Sequence, residues 1–445
     1  MHRNRSFKPL LLLLILLLLL QPFSFTAAAA EEMGVKGPGN LSAEHILLVD
    51  LNSDTILYEK EADTPAAPAS LTKIMTILLA LESDIPLQDT VTLPSGLWQE
   101  FIGINISNAD LASGERMPFF DLLACAALPS ANEAASAISL LVTNGDRDAF
   151  ISKMNQRAKE LGAQNTNFVN PHGLDEDGHM TTARDLFLIT REAIKNEAFL
   201  DLVSLSSHTL PETNFHASRT IYSTNKLMNP DSEYYTEGVK GIKTGTTYAA
   251  GRCIIALCET KDMLLLAVVM GSDFTDTYGN TLPGNAALAD AKTLFEWAKA
   301  NFASDSFLPT LQTPITLPVL DGKGKEEVAV TVTDEISPLL PKNVIFSDLT
   351  QSVTLSAQSL TAPVNKGQTV GELQLSYQGR VVASVPLRAA ESVELDEFGV
   401  KMRAFFASDL LHGLLLGMAC LLILFVLLLM IRAKNRQKNR KRRRR

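Results

Sequence analysis

Cysteine is scarce in this 445-residue chain, which has four: Cys125, Cys253, Cys258 and Cys420. Cys253 and Cys258 are five apart in an apolar run that reads as a strand, a separation of roughly 16 Å and too long for a disulfide. No Cys/His spacing of the metal-binding kind occurs, and no Cys/His pair marks a thiol nucleophile. Free, buried thiols are expected. His172 and His179, seven apart among loop residues, are expected in structural roles rather than as ligands or bases. Positive charge is also scarce in the body of the chain. Taking the 10 Lys and Arg of the C-terminal tail and the 3 nearest the N-terminus from the total of 40 leaves 27 against 49 acids, a formal charge of about −22. A body this acidic argues against nucleic acid as partner and keeps the protein soluble beside an anionic surface.

What the two ends carry is addressing information. His2, Arg3, Arg5 and Lys8 precede an unbroken apolar run from Leu10 to Leu20, and the small residues Ala27 to Ala30 follow. This reads as a signal peptide over 1–30, since 11 apolar residues fall well short of the ~20 that span a bilayer. Leu410 to Ile431, by contrast, is 22 residues with no charge and one strongly polar side chain, His412. That run is long enough to span. Ten cations follow at once, from Arg432 to Arg445, with no acid among them. The positive-inside rule puts them in the cytoplasm, and a basic nucleic-acid tail is a poor alternative beside a membrane span. The expectation is a single-pass protein of the cell membrane, its body outside the cytoplasm and its C-terminus inside.

Between these ends the hydrophobic pattern is mixed. Ala43 to Tyr58 alternates as a hairpin with its turn at Asn52-Ser53-Asp54, and Leu71, Ile74, Met75, Leu78 and Leu81 then recur at helical spacing. Ser70 therefore stands where a helix begins. Helices are expected over 121–128, 132–142, 146–161 and 286–302, and strands over 251–258 and 263–270. From about Leu308 short β-branched runs separated by turns take over: 315–319, 327–332, 344–346, 352–355, 372–377 and 380–387. This predicts a small all-β module, joined to the span by the polar stretch 389–397. Residues 398–411, with Phe398, Met402, Phe405 and Phe406, read either as an interfacial helix or as an extension of the span.

Three short words carry the chemistry: Ser70-Leu71-Thr72-Lys73, Ser130-Ala131-Asn132 and Lys243-Thr244-Gly245. A serine hydroxyl needs an adjacent base at neutral pH, and Lys73, three residues on along a helix, shares the face of Ser70. Desolvated, its amine loses its proton and can take that of the serine. Taken alone, the tetrapeptide is more often an N-cap serine followed by a solvated lysine. Ser130 lies where a helical pattern stops at Pro129, placed to pass a proton to a leaving amine, and Asn132 offers an amide to a substrate peptide bond; an N-cap role fits them equally well. Lys243-Thr244-Gly245 precedes strands, where glycine admits another backbone and lysine attracts a carboxylate. The backbone N–H groups of Ser70 and Thr246 are the natural oxyanion donors. It is the order and spacing of the three words that carry weight. The chemistry calls for no metal and no cofactor.

With these words in place, the chain resembles the low-molecular-mass penicillin-binding proteins that are D-alanyl-D-alanine carboxypeptidases. The likeness runs from about Leu41 to Glu394. It extends to Ala69-Ser-Leu-Thr-Lys-Ile-Met-Thr76, Phe150 with Met154-Asn155 and Leu161-Gly162, Asn170-Pro-His-Gly-Leu174 with Thr182-Ala-Arg-Asp185, Gly241 to Thr247 with Ala250 to Cys253, and Ala362 to Gly371 in the second domain. It implies an α+β, β-lactamase/transpeptidase-like catalytic domain with an antiparallel sheet and a helical subdomain over 31–303. An all-β domain over 304–392, a linker over 393–409, a transmembrane helix over 410–431 and a basic tail over 432–445 complete the expected organisation. The implied substrate is the peptidoglycan pentapeptide ending in D-Ala-D-Ala, attacked by Ser70 at its penultimate carbonyl, with β-lactams as covalent inhibitors. Ser130, Lys243 and Thr244 would hold the terminal carboxylate, beside Gly245 and Thr246, and Asn132 the peptide backbone. The chain departs from the family in having no arginine from Cys253 to Gly379, where relatives commonly place one for that carboxylate, and in ending in a span. A D,D-endopeptidase or β-lactamase of the same fold, and a penicillin-binding wall sensor that barely turns over, are the alternatives.

Overall fold

The computed structural model describes residues 33–274 and 281–442, so the expected signal peptide lies outside the described residues. The chain divides into two compact units, one running to Asp305 and including Pro338–Val344, the other made of Ser306–Ser337 and the residues from Ile345 onward.

The first unit opens with the expected hairpin, β1 (His45–Asp50) and β2 (Thr55–Lys60). Asp50 makes its turn: the carboxylate accepts the backbone N–H and the hydroxyl of Ser53 and, across the sheet, the N–H of Leu264. A 3-10 turn, Ala69–Thr72, leads into α1 (Lys73–Leu81). From Lys73 to Ala80 every residue of α1 is buried, so this helix is the centre of the unit rather than a surface element. β3 (Thr90–Thr92) and β4 (Arg116–Pro118) pair as a small ribbon, and four helices follow: α2 (Phe119–Ala127), α3 (Asn132–Val142), α4 (Arg147–Glu160) and α5 (Ala183–Ala193). After α6 (Glu197–Val203) the hairpin β5 (Ser207–Leu210) and β6 (Arg219–Tyr222) brings the chain to β7 (Lys243–Thr247), β8 (Gly251–Glu259) and β9 (Leu264–Ser272). The main sheet is antiparallel in the order β2-β1-β9-β8-β7, with β7 on the edge. Residues 252–258 of β8 are all buried, which explains why the strand reads as a continuous apolar run instead of alternating. α7 (Ala286–Asn301), capped by the Asn285 side chain, packs on β8 and β9, and β10 (Phe302–Ala303) pairs with Leu340–Pro341.

The second unit contains β11 (Thr316–Leu320) and β12 (Glu327–Thr331), departs to the first unit as β13 (Leu340–Pro341), and resumes with β14 (Thr350–Leu355), β15 (Leu360–Thr361), β16 (Thr369–Tyr377) and β17 (Arg380–Ala389). They form one sheet in the order β14-β16-β17-β12-β11-β15. The run 344–346, expected as a strand, is instead the approach to a 3-10 turn at Phe346–Asp348. The Asp348 carboxylate accepts the Ile345 N–H, a local bond that outcompetes sheet pairing. α8 (Glu397–Phe406) precedes α9 (Asp409–Arg442), within which His412–Arg436 is apolar and long enough to cross a membrane. Its large apolar side chains from Leu414 to Ile431 are exposed, as those of a membrane anchor are.

Candidate active site

The 3-10 turn before α1 holds Ser70 at the end of a strained approach, because Ala69 adopts a left-handed conformation (φ 47°) that non-glycine residues rarely take. Pro68 caps this turn without a side-chain bond, so Ser70 is not serving as an N-cap. Lys73, the first residue of α1, is fully buried, and its Nζ lies 2.9 Å from Ser70 Oγ, 2.8 Å from Asn132 Oδ1 and 2.6 Å from the His172 carbonyl oxygen. Burial drives its pKa well below the ordinary lysine value, and the charge of Lys243 pushes the same way, against an opposing pull from Glu133. A neutral amine has two N–H donors and one lone pair. Asn132 and His172 accept the two N–H groups, which leaves the lone pair for the hydroxyl proton of Ser70.

Ser130 occupies the turn between α2 and α3, also in the left-handed region (φ 65°), and its Oγ is buried with no hydrogen-bond partner among the described residues. A buried hydroxyl left without a partner is costly, and in a strained turn such a group points to a function. Asn132 opens α3, but the cap position belongs to Ala131. The Asn132 side chain instead joins Lys73 to a neighbouring segment, accepting from the amine through Oδ1 and donating through Nδ2 to the Ser107 carbonyl at 3.1 Å.

β7 supplies the third wall. As the edge strand it has one side of its backbone free of sheet pairing. Gly245 is required there: a Cβ would stand 3.0 Å from that of Ala69 and 3.2 Å from the Ser70 nitrogen, so the Ser70 turn and β7 pack at backbone distance. Lys243 is buried, donates to the Thr244 carbonyl at 3.0 Å, and is brought down to about 7 by burial. Thr244 and Thr224 share a hydroxyl bond of 2.5 Å, and the Thr224 N–H donates to the Leu128 carbonyl, tying β7 to the end of α2 beside the Ser130 turn. Thr246 is exposed on the same strand.

The loop 170–175 closes the back. Gly173 (φ 87°) lies so close to the Ser70 turn that a Cβ would come within 1.9 Å of the Ala69 oxygen. The Pro171 carbonyl accepts from Thr76, and that of His172 from Lys73. Both loop histidines are structural. His179 accepts the Val169 N–H on Nδ1 at 3.0 Å and meets Thr72 Oγ1 at 2.8 Å with Nε2, a pairing for the neutral ring; burial, reinforced by His172 and Lys73, brings it down to about 4. His172 accepts the Leu174 N–H on Nδ1 and faces Glu100 with Nε2 at 3.4 Å. Burial pushes the Glu100 carboxyl up, but bonds from His172 and Ser136 and the Arg147 charge outweigh it and hold the carboxyl at about 2. Ser107, Thr224 and Glu100 escaped the sequence reading because each acts through a backbone atom or through another side chain, with no motif to mark it. The cysteines are free, and Cys125, Cys253 and Cys258 are buried. Among the described residues no cluster of His, Cys, Asp and Glu is arranged to hold a metal ion.

Arg252, one residue ahead of the arginine-free stretch, pairs with Thr246 across β7 and β8, is nearly buried, and donates to the Leu282 carbonyl with its guanidinium over the Phe274 ring. It contacts Phe274 and Leu282, beyond the end of β9.

Comparison with known proteins agrees with this geometry. The model of the D-alanyl-D-alanine carboxypeptidase family matches residues 30–274, and that of the penicillin-binding protein 5 C-terminal domain matches 312–395. The chain is 32% identical over 384 residues to the D-alanyl-D-alanine carboxypeptidase DacC of Escherichia coli, covering 84% of this chain and 89% of that protein. It is 30% identical over 356 residues to the D-alanyl-D-alanine carboxypeptidase DacF of Bacillus subtilis, covering 79% and 86%. Among solved structures it is similar to penicillin-binding protein 5 from Haemophilus influenzae, with a TM-score of 0.61, 28% identity, and coverage of 81% of this chain and 99% of that one.

Proposed function

The chain belongs to the D-alanyl-D-alanine carboxypeptidase family of serine peptidases, and from that premise we propose how its own residues carry the reaction. Ser70 Oγ attacks the penultimate carbonyl carbon of a stem peptide ending in D-Ala-D-Ala while its proton passes to the lone pair of Lys73. The backbone N–H groups of Ser70 and Thr246 receive the oxyanion; the approach of the Ser70 amide to β7 at Gly245 supports that pairing. The C–N bond then breaks, and the leaving amine takes a proton from Ser130, which regains one from Lys73, the holder of the proton removed from Ser70. Water attacks the resulting ester, releases the shortened peptide as a carboxylic acid and returns the proton to Ser70. Lys243 and Thr244, next to Gly245, receive the terminal carboxylate, and Asn132 the peptide backbone. The observation that carries this reading is the dry amine of Lys73, 2.9 Å from Ser70 Oγ with both its N–H groups already engaged. β-Lactams, which resemble the terminal dipeptide, acylate the same serine.

The same reading assigns residues 31–303 to the catalytic domain, 304–392 to the all-β domain, 393–409 to a linker, 410–431 to the span and 432–445 to a cytoplasmic tail, with 1–30 removed as a signal peptide. The decisive experiment measures D-alanine released from a pentapeptide by the full-length protein and by Ser70→Ala. Steady release by the first and none by the second, together with loss of fluorescent-penicillin labelling, is expected. Cleavage of only cross-linked dimers or of penicillin, or a single stoichiometric burst, would replace this reading with an endopeptidase, a β-lactamase or a sensor.

A further inference from the structure

Residues 104–112 belong to neither helix nor strand, and Ser107 and Asn108 among them are exposed, yet this segment carries the carbonyl that orients Asn132. The Ser107 carbonyl accepts both the backbone N–H of Asn132 (2.9 Å) and its Nδ2 (3.1 Å), which turns Oδ1 of the same amide onto Lys73 Nζ at 2.8 Å. A carbonyl can only accept, so it fixes which end of the amide faces the amine. Turned over, the amide would present its NH2 to Lys73, and the lone pair of the amine would take that donor in place of the Ser70 hydroxyl. An irregular segment keeps such a carbonyl in place only where it is pinned, and the pin lies two residues on. Ala109 is buried; its N–H donates to Glu133 Oε1 at 2.6 Å, and its carbonyl accepts from Arg219 Nη2 of β6 at 3.0 Å. Glu133, beside Asn132 in the first turn of α3, is fully buried, and its Oε2 has no hydrogen-bond partner among the described residues. Burying a carboxyl group with one oxygen unmatched is costly, and the reaction proposed above gives that group no part.

We propose that Glu133 is a positioning residue for acylation: by clasping the Ala109 N–H it holds the Ser107 carbonyl, and through that carbonyl it keeps Oδ1 of Asn132 turned to Lys73. This rests on the reading of Ser70 and Lys73 as nucleophile and base. Two adjacent residues of α3 grip the segment at two points, Asn132 at Ser107 and Glu133 at Ala109, so the segment cannot slide along the helix without breaking a bond at one of them. Glu133 itself touches neither Ser70 nor Lys73 by a hydrogen bond, and its influence on the nucleophile passes through the Asn132 amide.

The test measures the second-order rate of labelling by a fluorescent penicillin, using the full-length protein in detergent, for Glu133→Gln and Glu133→Leu, each alone and each combined with Asn132→Ala. Both substitutions remove the charge, but only leucine also removes the acceptor for the Ala109 N–H, so the difference between them reports the clasp. Glu133→Leu is expected to be labelled about tenfold or more slowly than Glu133→Gln, and the gap should shrink to about twofold or less with Asn132→Ala, where no amide is left to orient. Cooperative thermal unfolding shows that each variant is folded, and Glu133→Ala takes the place of Glu133→Leu if the latter is not. Equal rates for the two single variants, or a gap that persists undiminished with Asn132→Ala, overturn the inference while leaving the reading of the site intact. Labelling of the otherwise native protein that survives Ser70→Ala overturns that reading, and this inference with it.

Discussion

Lys73 and Lys243 are two buried amines, and the charge of Lys243 weighs on Lys73. Burial lowers both, and the proximity of Lys243 lowers Lys73 further. The signs of their pH effects are opposite. In the proposed reaction Lys73 must be neutral to accept the serine proton, so kcat/KM is expected to rise with pH as Lys73 loses its proton. In the same proposal Lys243 must be charged to attract the terminal carboxylate, so kcat/KM is expected to fall as pH rises through about 7. A bound carboxylate favours the ammonium, which moves this alkaline limb upward in kcat relative to kcat/KM. Lys243→Gln is expected to lower kcat/KM by roughly 10- to 100-fold, the loss of a charged hydrogen bond, and to abolish the alkaline limb. Rate profiles of both proteins between pH 5 and 10 check this; an unchanged alkaline limb in the variant would assign it to another group. The sequence places the lysines in their motifs, but it does not show that β7 packs against the nucleophile turn closely enough for the two charges to interact.

Elements position these residues through backbone contacts that single side chains cannot replace. Gly173 is the sharpest case, since a Cβ there meets the Ala69 oxygen at 1.9 Å and its φ of 87° is unfavourable for any other residue. Gly173→Ala is expected to destabilise the protein by about 1–3 kcal/mol through backbone strain alone and to slow acylation by shifting the turn that carries Ser70. Calorimetry and the second-order rate of penicillin labelling measure the two effects, and an unaltered labelling rate would separate the loop from the nucleophile's placement. Elements with strong periodicity were legible: α3, α4, α7, β8 and β9 fall within a few residues of expectation. α5 and α6 were not read, although both carry cap signals. Thr182 accepts the Asp185 N–H at 3.0 Å, and Asn196 caps Ala198 and Phe199. The hairpin of β5 and β6 was missed because an eight-residue connection replaces a tight turn, so no turn chemistry announces it.

For the whole molecule, the apolar stretch of α9 is a candidate membrane anchor, and the proposed orientation, with the cations that follow it in the cytoplasm, puts the catalytic unit outside. A cysteine introduced at Asn439 in a Cys420→Ala background is expected to resist a membrane-impermeant maleimide in intact cells and to react after lysis. Labelling before lysis would reverse the proposed orientation.

The sequence by itself determined the class of chemistry, the mixed α+β and all-β composition and the candidate membrane helix, because these rest on local information: three short words, hydrophobic period and run length. Only the tertiary structure decided that Lys73 is stripped of water, that its two N–H groups are engaged by Asn132 and His172, and that Ser130 is held strained and without a partner among the described residues. Those facts depend on burial and on contacts between segments far apart in the chain, such as the approach of Gly245 to the Ser70 turn 175 residues earlier, and no local pattern encodes how much water such a contact leaves behind.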